Sequence, residues 1–270
     1  MSVSSLNRLL AILQLFTSER SEWTVRAAAS EINVSIPTAY RYFRSLCKAG
    51  FLDPIVDGHY VLGPAIIEYD RRIRMGDPLI NIGQSVLQRL IVQTSSTGIA
   101  MICRFYRNQV MCVHQEGTYL SGNPVSYERG RPMPLFIGAP GKIIFAHLSS
   151  RLARSYFTKY PDEIAAGGFG TDWDIVKFNL RRMRKAGVCI ARGEVDKDRV
   201  GIAAAIIGSN NNVVGAITMA LPKHEATPQF IANVSTLVQA AGREISTGLA
   251  LLSEVDVPNK NLQASHEISI

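Results

Sequence analysis

No apolar run in the 270 residues approaches the ~20 needed to cross a bilayer as a helix. No membrane span or membrane partner is expected. Met1-Ser2-Val3-Ser4-Ser5 has no basic segment leading into an apolar one. A secretory signal is therefore not expected, and the chain reads as soluble and cytoplasmic. Cysteine is sparse: Cys47, Cys103, Cys112 and Cys189 form no C-x-x-C pair. That spacing argues against a disulfide framework or a zinc site, and each thiol reads as a small buried hydrophobe. The five histidines, His59, His114, His147, His224 and His266, have no metal-ligand spacing. There is no G-x-S-x-G, no complete phosphate loop and no Rossmann glycine pattern. Gly138 to Lys142 lacks the rest of a phosphate loop, and Gly167-Gly168-Phe169-Gly170 reads as a flexible connection. The expectation is a protein that is not an enzyme and needs no cofactor and no metal. The rival is a small-molecule-processing α/β enzyme with an accessory helical domain.

Length and a 47% hydrophobic content suit two domains, each with its own core. Leu6, Leu9, Leu10, Leu13 and Phe16 predict a helix over 4–18, capped by Ser4 or Ser5. A second helix fits 24–32 with Thr24 as its cap. The turn Asn33-Val34-Ser35 leads into a third helix, about 36–49, that stops at Gly50. Its inward set is Ala39, Tyr42, Phe43 and Leu46. Phe51-Leu52 and Ile55-Val56, then Asp57-Gly58, then His59 to Leu62 predict a hairpin. Pro54 limits its first strand to an edge or a short piece. Three helices followed by a hairpin is the order of a winged helix-turn-helix.

The third helix carries the functional signal. Its outward set is Thr38, Tyr40, Arg41, Arg44, Ser45 and Lys48, with Ser35 at the cap. Arg41, Arg44 and Lys48 share one face, and no acidic residue occurs between Ile32 and Leu52. A helix lying in the major groove needs this mixture of cations and hydroxyls without carboxylates. On charge alone, a solvated basic face is the better explanation. The helix before it, the turn and the hairpin turn the reading toward a double-stranded DNA operator. The net charge is +7, but residues 1–76 hold nine Lys and Arg against seven Asp and Glu. Affinity is then expected from local placement and dimer avidity.

Residues 64–75 predict a linker helix bearing Arg71, Arg72 and Arg74, and Gly76-Asp77-Pro78 marks a boundary. The remainder reads as α/β. Helices fit 79–93, 141–148, 172–186 and 228–252. Strands fit 98–106, 109–116, 187–192, 200–207 and 213–221, with turns at Arg107-Asn108 and Asn210 to Asn212. The charge run Glu194 to Arg199 sits at a turn, where charges ordinarily face solvent. Arg181, Arg182, Arg184 and Lys185 suit a helix C-terminus without any ligand. The polar segment 256–270 predicts a flexible tail. The expected division is 1–63, winged helix-turn-helix; 64–78, linker helix; 79–255, effector-binding domain; 256–270, tail.

The run Val34-Ser35-Ile36-Pro37-Thr38-Ala39-Tyr40-Arg41-Tyr42-Phe43-Arg44-Ser45-Leu46, with Ala49-Gly50-Phe51-Leu52 and Tyr60-Val61-Leu62-Gly63-Pro64, resembles the IclR family of regulators. So do Gly141-Lys142, Gly193-Glu194-Val195-Asp196 and Gly201 to Ile206. The resemblance spans residues 4–252. It implies an α+β chain with a winged helix-turn-helix, a linker helix and a C-terminal GAF-like α/β effector-binding domain. It also implies a homodimer or homotetramer and a small organic acid or aromatic effector. Carried over by position, the effector site comprises Gly122 to Val125, Ala139-Pro140, Ala191 to Glu194, Gly201, Thr218 and Ala220. This chain departs from the pattern: only Thr218 is polar in the last strand, Pro140 replaces a small residue, and Pro134 to Ile137 is unusually apolar. The pocket is thus expected to be more apolar, lined by Met133, Leu135, Phe136 and Met219, with Tyr127, Arg192, Glu194 or Thr218 orienting the ligand. Phe136 and Met219 suit an ordinary core equally well. An aromatic or hydrophobic carboxylic acid of a catabolic pathway fits such a pocket better than a two- or three-carbon acid. Repressor and activator remain open.

Overall fold

The computed structural model describes residues 5–94, 98–117 and 125–255. The chain forms two compact units that meet between Asp77 and Pro78. The expected cap Ser4, the loop start at Gly122 and the tail 256–270 lie outside the described residues.

In the first unit, helices α1 (Ser5–Gln14), α2 (Val25–Glu31) and α3 (Ile36–Lys48) enclose Ile12, Val25, Ala28, Ala39, Tyr42, Phe43 and Leu46. The Thr24 hydroxyl accepts from the Ala27 N–H at 3.2 Å, and the Ser35 hydroxyl accepts from Thr38 N–H at 3.4 Å. Each thereby satisfies a donor that the first helical turn leaves without a partner. Strands β1 (Trp23–Thr24), β2 (Leu52–Pro54) and β3 (His59–Leu62) form a small antiparallel sheet in the order β1-β3-β2. The expected first strand is shorter than its apolar run. It ends at Pro54 on the sheet edge, and Val56–Gly58 curl into a 3-10 turn. Asp57 and Gly58 both take positive φ, 57° and 71°, which is the demand that makes Asp-Gly a hairpin dipeptide.

Helix α4 (Ala65–Gly76), the expected linker, is fastened to this unit at its start. The Ala65 N–H donates to the Gly50 carbonyl at 3.0 Å, and the Tyr69 ring stacks on Phe51 with centroids 5.5 Å apart.

The second unit opens with α5 (Pro78–Thr94). Its six-stranded antiparallel sheet comprises β4 (Ile99–Tyr106), β5 (Gln109–Gly117), β6 (Pro132–Pro134), β7 (Cys189–Arg192), β8 (Arg199–Ile207) and β9 (Val213–Pro222). The strand order is β6-β5-β4-β9-β8-β7. Between β6 and β7 lie α6 (Gly138–His147), α7 (Ser150–Lys159), α8 (Pro161–Ala166) and α9 (Trp173–Ala186); α10 (Pro228–Val255) closes the unit.

The sheet has two different faces because side chains alternate along each strand. Ile202, Ala204 and Ile206 of β8 and Ile217, Met219 and Leu221 of β9 pack with α5 and α10. The opposite face carries Gly201, Ala203 and Ala205, then Ala216, Thr218 and Ala220, and receives α6. These small residues let α6 approach: a Cβ on Gly201 would stand 3.3 Å from the Ala139 Cβ.

Two expectations change in this unit. Helix α6 begins at Gly138, before the expected 141, because Pro140 lies in the first turn, where no backbone donor is needed. The Gly167 to Gly170 loop is not a loose connection. Phe169 is fully buried against Phe145 at 5.1 Å, and Asn179 Nδ2 donates to its carbonyl at 2.9 Å.

Helix α6 ends in a pH-sensitive contact. One ring nitrogen of His147 meets the Ile143 carbonyl at 2.8 Å. Burial, reinforced by the nearby Arg184 cation, lowers the His147 pKa below its ordinary value despite that bond. The unfolded chain therefore binds this proton more readily than the folded one. The stability is present above the ordinary value of about 6.5 and is lost as pH falls below it. Thermal melts across that range should show a shallower acid slope for His147→Gln than for the wild type. Identical slopes would remove His147 from the account.

Candidate functional sites: a cationic groove and an apolar cavity

In the first unit, α3 buries Ala39, Tyr42, Phe43 and Leu46 and turns Tyr40, Arg41, Arg44, Ser45 and Lys48 outward. Tyr40, Arg41, Arg44 and Lys48 line one groove with Pro37, Cys47, Pro54 and Tyr60, so β2 and β3 form its second wall. The hydroxyls of this helix are partly committed to its own structure. Ser35 Oγ lies 2.9 Å from Thr38 Oγ1, and Ser45 Oγ donates to the Arg41 carbonyl at 3.0 Å. The cations are not committed in this way: among the described residues no carboxylate pairs with Arg41, Arg44 or Lys48.

In the second unit, a cavity lies between the small-residue face of the sheet and the start of α6. Its space is about 400 Å³, open mouth included. Its apolar lining includes Met101, Val125, Ala139, Pro140, Ala191, Val195 and Ala220. Gly138, Gly193, Gly201, Tyr127, Glu194, Asp196, Arg199 and Thr218 complete it. Of the effector residues expected from the sequence, the cavity brings together Val125, Tyr127, Ala139, Pro140, Glu194, Gly201, Thr218 and Ala220.

Leu135, Phe136 and Arg192 lie elsewhere. Leu135 and Phe136 belong to the core beneath α6, where Phe136 meets Phe145 edge-on at 5.0 Å. Met133 shares that core, and Met219 points to the opposite face of the sheet. Arg192 is exposed because it shares the outer phase of β7 with Ile190. Arg199 lies on the cavity side, in phase with Gly201 and Ala203, and is only 8% exposed. The charge run at 194–199 thus does not all face solvent. Strand phase is the signal that separates the two arginines.

Most polar groups of the cavity are already satisfied. Tyr127 donates from its hydroxyl to the Ile137 carbonyl at 3.1 Å. Burial, with Cys103, Glu194 and Asp196 nearby, raises its pKa well above the ordinary phenol value, so it stays a donor. Glu194 accepts from the Gly138 N–H at 3.1 Å and from Lys142 Nζ at 2.6 Å. Asp196 accepts from the Ser126 N–H at 3.1 Å and from its hydroxyl at 2.5 Å. Arg199 Nη1 is buried without a hydrogen-bond partner, and Thr218 Oγ1 is buried with only the Cys103 sulfur within reach. The Cys103 thiol beside Thr218 is turned toward Cys112, and burial adds to the strong upward shift of its pKa. Burial likewise pushes Cys189, near this site, up to about 12. Neither thiol is poised as a nucleophile at neutral pH. Among the described residues no cluster of His, Cys, Asp and Glu is arranged for a metal, and no helix is long and apolar enough to cross a membrane.

A winged helix-turn-helix followed by a largely apolar cavity on an α/β sheet defines a ligand-responsive DNA-binding protein class. Two family profiles place the chain within it. Residues 5–54 match the IclR helix-turn-helix domain, and residues 76–247 match the bacterial transcriptional regulator IclR C-terminal domain. The chain belongs to the IclR family of bacterial transcriptional regulators. It is 25% identical over 249 residues to the Pca operon regulatory protein of Acinetobacter baylyi, covering 90% of this chain and 88% of that one. It is 22% identical over 239 residues to the p-hydroxybenzoate hydroxylase transcriptional activator of the same organism, covering 85% of each. Its fold is similar to that of an IclR homologue from Microbacterium hydrocarbonoxydans solved with 4-hydroxybenzoate. The TM-score there is 0.73 at 18% identity, covering 92% of this chain and all of that one.

Proposed function

We propose that this regulator reads operator DNA with α3 and its hairpin wing, under the control of an aromatic carboxylic acid bound in the cavity of the second unit. In this reading residues 1–63 bind DNA, 64–78 link and 79–255 sense. Arg41, Arg44 and Lys48 supply the DNA-facing cations. Tyr40, Ser35, Thr38 and Ser45 position the helix on the sugar-phosphate backbone. The observation that carries the reading is the cavity: apolar walls with a few convergent polar groups, set behind a helix start. The relatives named for the Pca operon and for p-hydroxybenzoate hydroxylase, and the 4-hydroxybenzoate complex of the bacterial homologue, support an aromatic acid. The active form is a homodimer, which places two copies of α3 in successive major grooves. Ile66 and Ile73, seven residues apart and so on one face of α4, are exposed and apolar, as a dimer contact requires. The acid shifts DNA affinity only by binding two arrangements of the dimer unequally.

The test is a fluorescence-anisotropy titration with DNA selected by the protein from a random pool, with and without 4-hydroxybenzoate or 3,4-dihydroxybenzoate. An allosteric coupling of 1–3 kcal/mol corresponds to a change of about 5- to 150-fold in DNA affinity. Failure to select any sequence, or an affinity that ignores every aromatic acid, overturns the reading.

A further inference from the structure

The cavity holds an unbalanced pair of hydrogen-bond donors. Arg199 is 8% exposed and Thr218 is 1% exposed, yet Arg199 Nη1 has no hydrogen-bond partner and Thr218 Oγ1 has only the weakly accepting Cys103 sulfur beside it. Buried polar side-chain atoms are overwhelmingly paired, and an unpaired buried guanidinium is among the costliest cases. These two line one cavity. The other polar side chains around them are engaged: Tyr127 with the Ile137 carbonyl, Asp196 with Ser126, and Glu194 with Lys142 and the Gly138 N–H.

We propose that Arg199 and Thr218 form the seat for the effector's carboxylate, and that Glu194 keeps the start of α6 from competing for it. The inference rests on the effector reading above and names the residues that discriminate within it. A guanidinium edge and a hydroxyl can each donate to one carboxylate. A neutral alcohol or amide leaves the arginine charge uncompensated. The start of α6 is the cavity's other anion-attracting position, because backbone N–H groups there point outward. It is already filled by a carboxylate from the chain itself, Glu194, whose charge Lys142 balances at 2.6 Å. The incoming acid is therefore directed to the sheet floor. Met101, Val125, Ala139, Ala191 and Ala220 receive its uncharged body. The ligand class is a monocarboxylate with a compact apolar body.

The experiment is isothermal titration of the full-length protein with matched acid and amide pairs: 4-hydroxybenzoate with 4-hydroxybenzamide, and hexanoate with hexanamide. The wild type should prefer the acid of a binding pair by about 100-fold, the scale of a buried charge pair. Arg199→Met should reduce that preference to about threefold or less, and Thr218→Val should cost the acid about 5- to 10-fold. Glu194→Gln, which frees Lys142 and the helix start, should tighten acid binding. A ligand-free melting temperature provides an independent readout. Arg199→Met should melt higher than the wild type, because it removes a buried charge without a partner. If Arg199→Met does not fold, Arg199→Lys takes its place. It keeps the charge and loses the fork, so acid binding should weaken about 10-fold with acids still preferred.

A preference that survives Arg199→Met overturns the seat, as does an Arg199→Lys variant that binds acid like the wild type. So does a wild type that binds amides as tightly as acids. Acid binding lost in Glu194→Gln but kept in Arg199→Met would move the seat to the α6 start. An Arg199-dependent preference for hexanoate alone keeps the seat and removes the aromatic reading. Equal binding of 4-hydroxybenzoate and its amide keeps the aromatic reading and removes the seat.

Discussion

Replacing Arg41 by Ala, or Arg44 by Ala, should weaken specific DNA binding by about 1–3 kcal/mol each if the side chain reaches a base edge. The two losses sum to about 2–6 kcal/mol in the double variant if the contacts are independent. Both side chains lie on the exposed face of α3, lining the groove shared with Lys48 and Tyr60. Neither enters the core of this helix, which is Ala39, Tyr42, Phe43 and Leu46, although the Arg41 guanidinium lies 5.7 Å over the Tyr42 ring. The melting temperature of Arg44→Ala should therefore match the wild type, and Arg41→Ala should lose no more stability than an exposed cation–π contact supplies, about 0.5–1 kcal/mol. The salt dependence divides the roles. A base contact reduces specific affinity while leaving the slope against log salt nearly unchanged, whereas a phosphate contact lowers that slope by about one and weakens binding to every sequence. Wild-type operator affinity in both single variants would remove α3 as the reading helix.

Phe145→Ala should destabilise the second unit by about 3–5 kcal/mol, measured by urea unfolding. Phe145 is fully buried in α6 and meets Phe136 at 5.0 Å and Phe169 at 5.1 Å, both edge-on. Truncation leaves a hole between aromatic rings that rigid neighbours fill poorly. The same helix supplies Gly138, Ala139 and Pro140 to the cavity wall. Effector binding should weaken with the fold, and Phe145→Leu, which fills more of the space, should retain more of both. A loss below about 1 kcal/mol would mean that the cluster collapses around the gap.

The first unit was largely legible because its signals are local. Thr24 and Ser35 cap the helices they precede, Asp57-Gly58 turns the hairpin, and α3 repeats its apolar positions at helical spacing. The second unit hid what depends on long-range packing. Helices α7 and α8 escaped sequence reading because α7 buries only Ala153 and Tyr156 among many charges, and α8 has six residues. Leu135 and Phe136 looked like pocket walls because a core and an apolar pocket draw on the same residue types. Arg192 and Arg199 are chemically identical and seven residues apart. Only the phase of their strands decides which one is buried, and that phase depends on where the intervening turn ends.

The bond from Ala65 to the Gly50 carbonyl and the Phe51–Tyr69 stack have a mechanical meaning. They clamp the base of α4 to the residues that directly follow α3, so within the first unit the two helices form a crank. Helix α4 has 12 residues and is about 18 Å long, so turning it by about 10° about its Gly76 end carries its clamped base, and α3 with it, through about 3 Å. That arc is close to the roughly 3.4 Å rise between stacked base pairs. If α3 reads the operator as proposed, a small angular displacement is enough to move it by about one base-pair step.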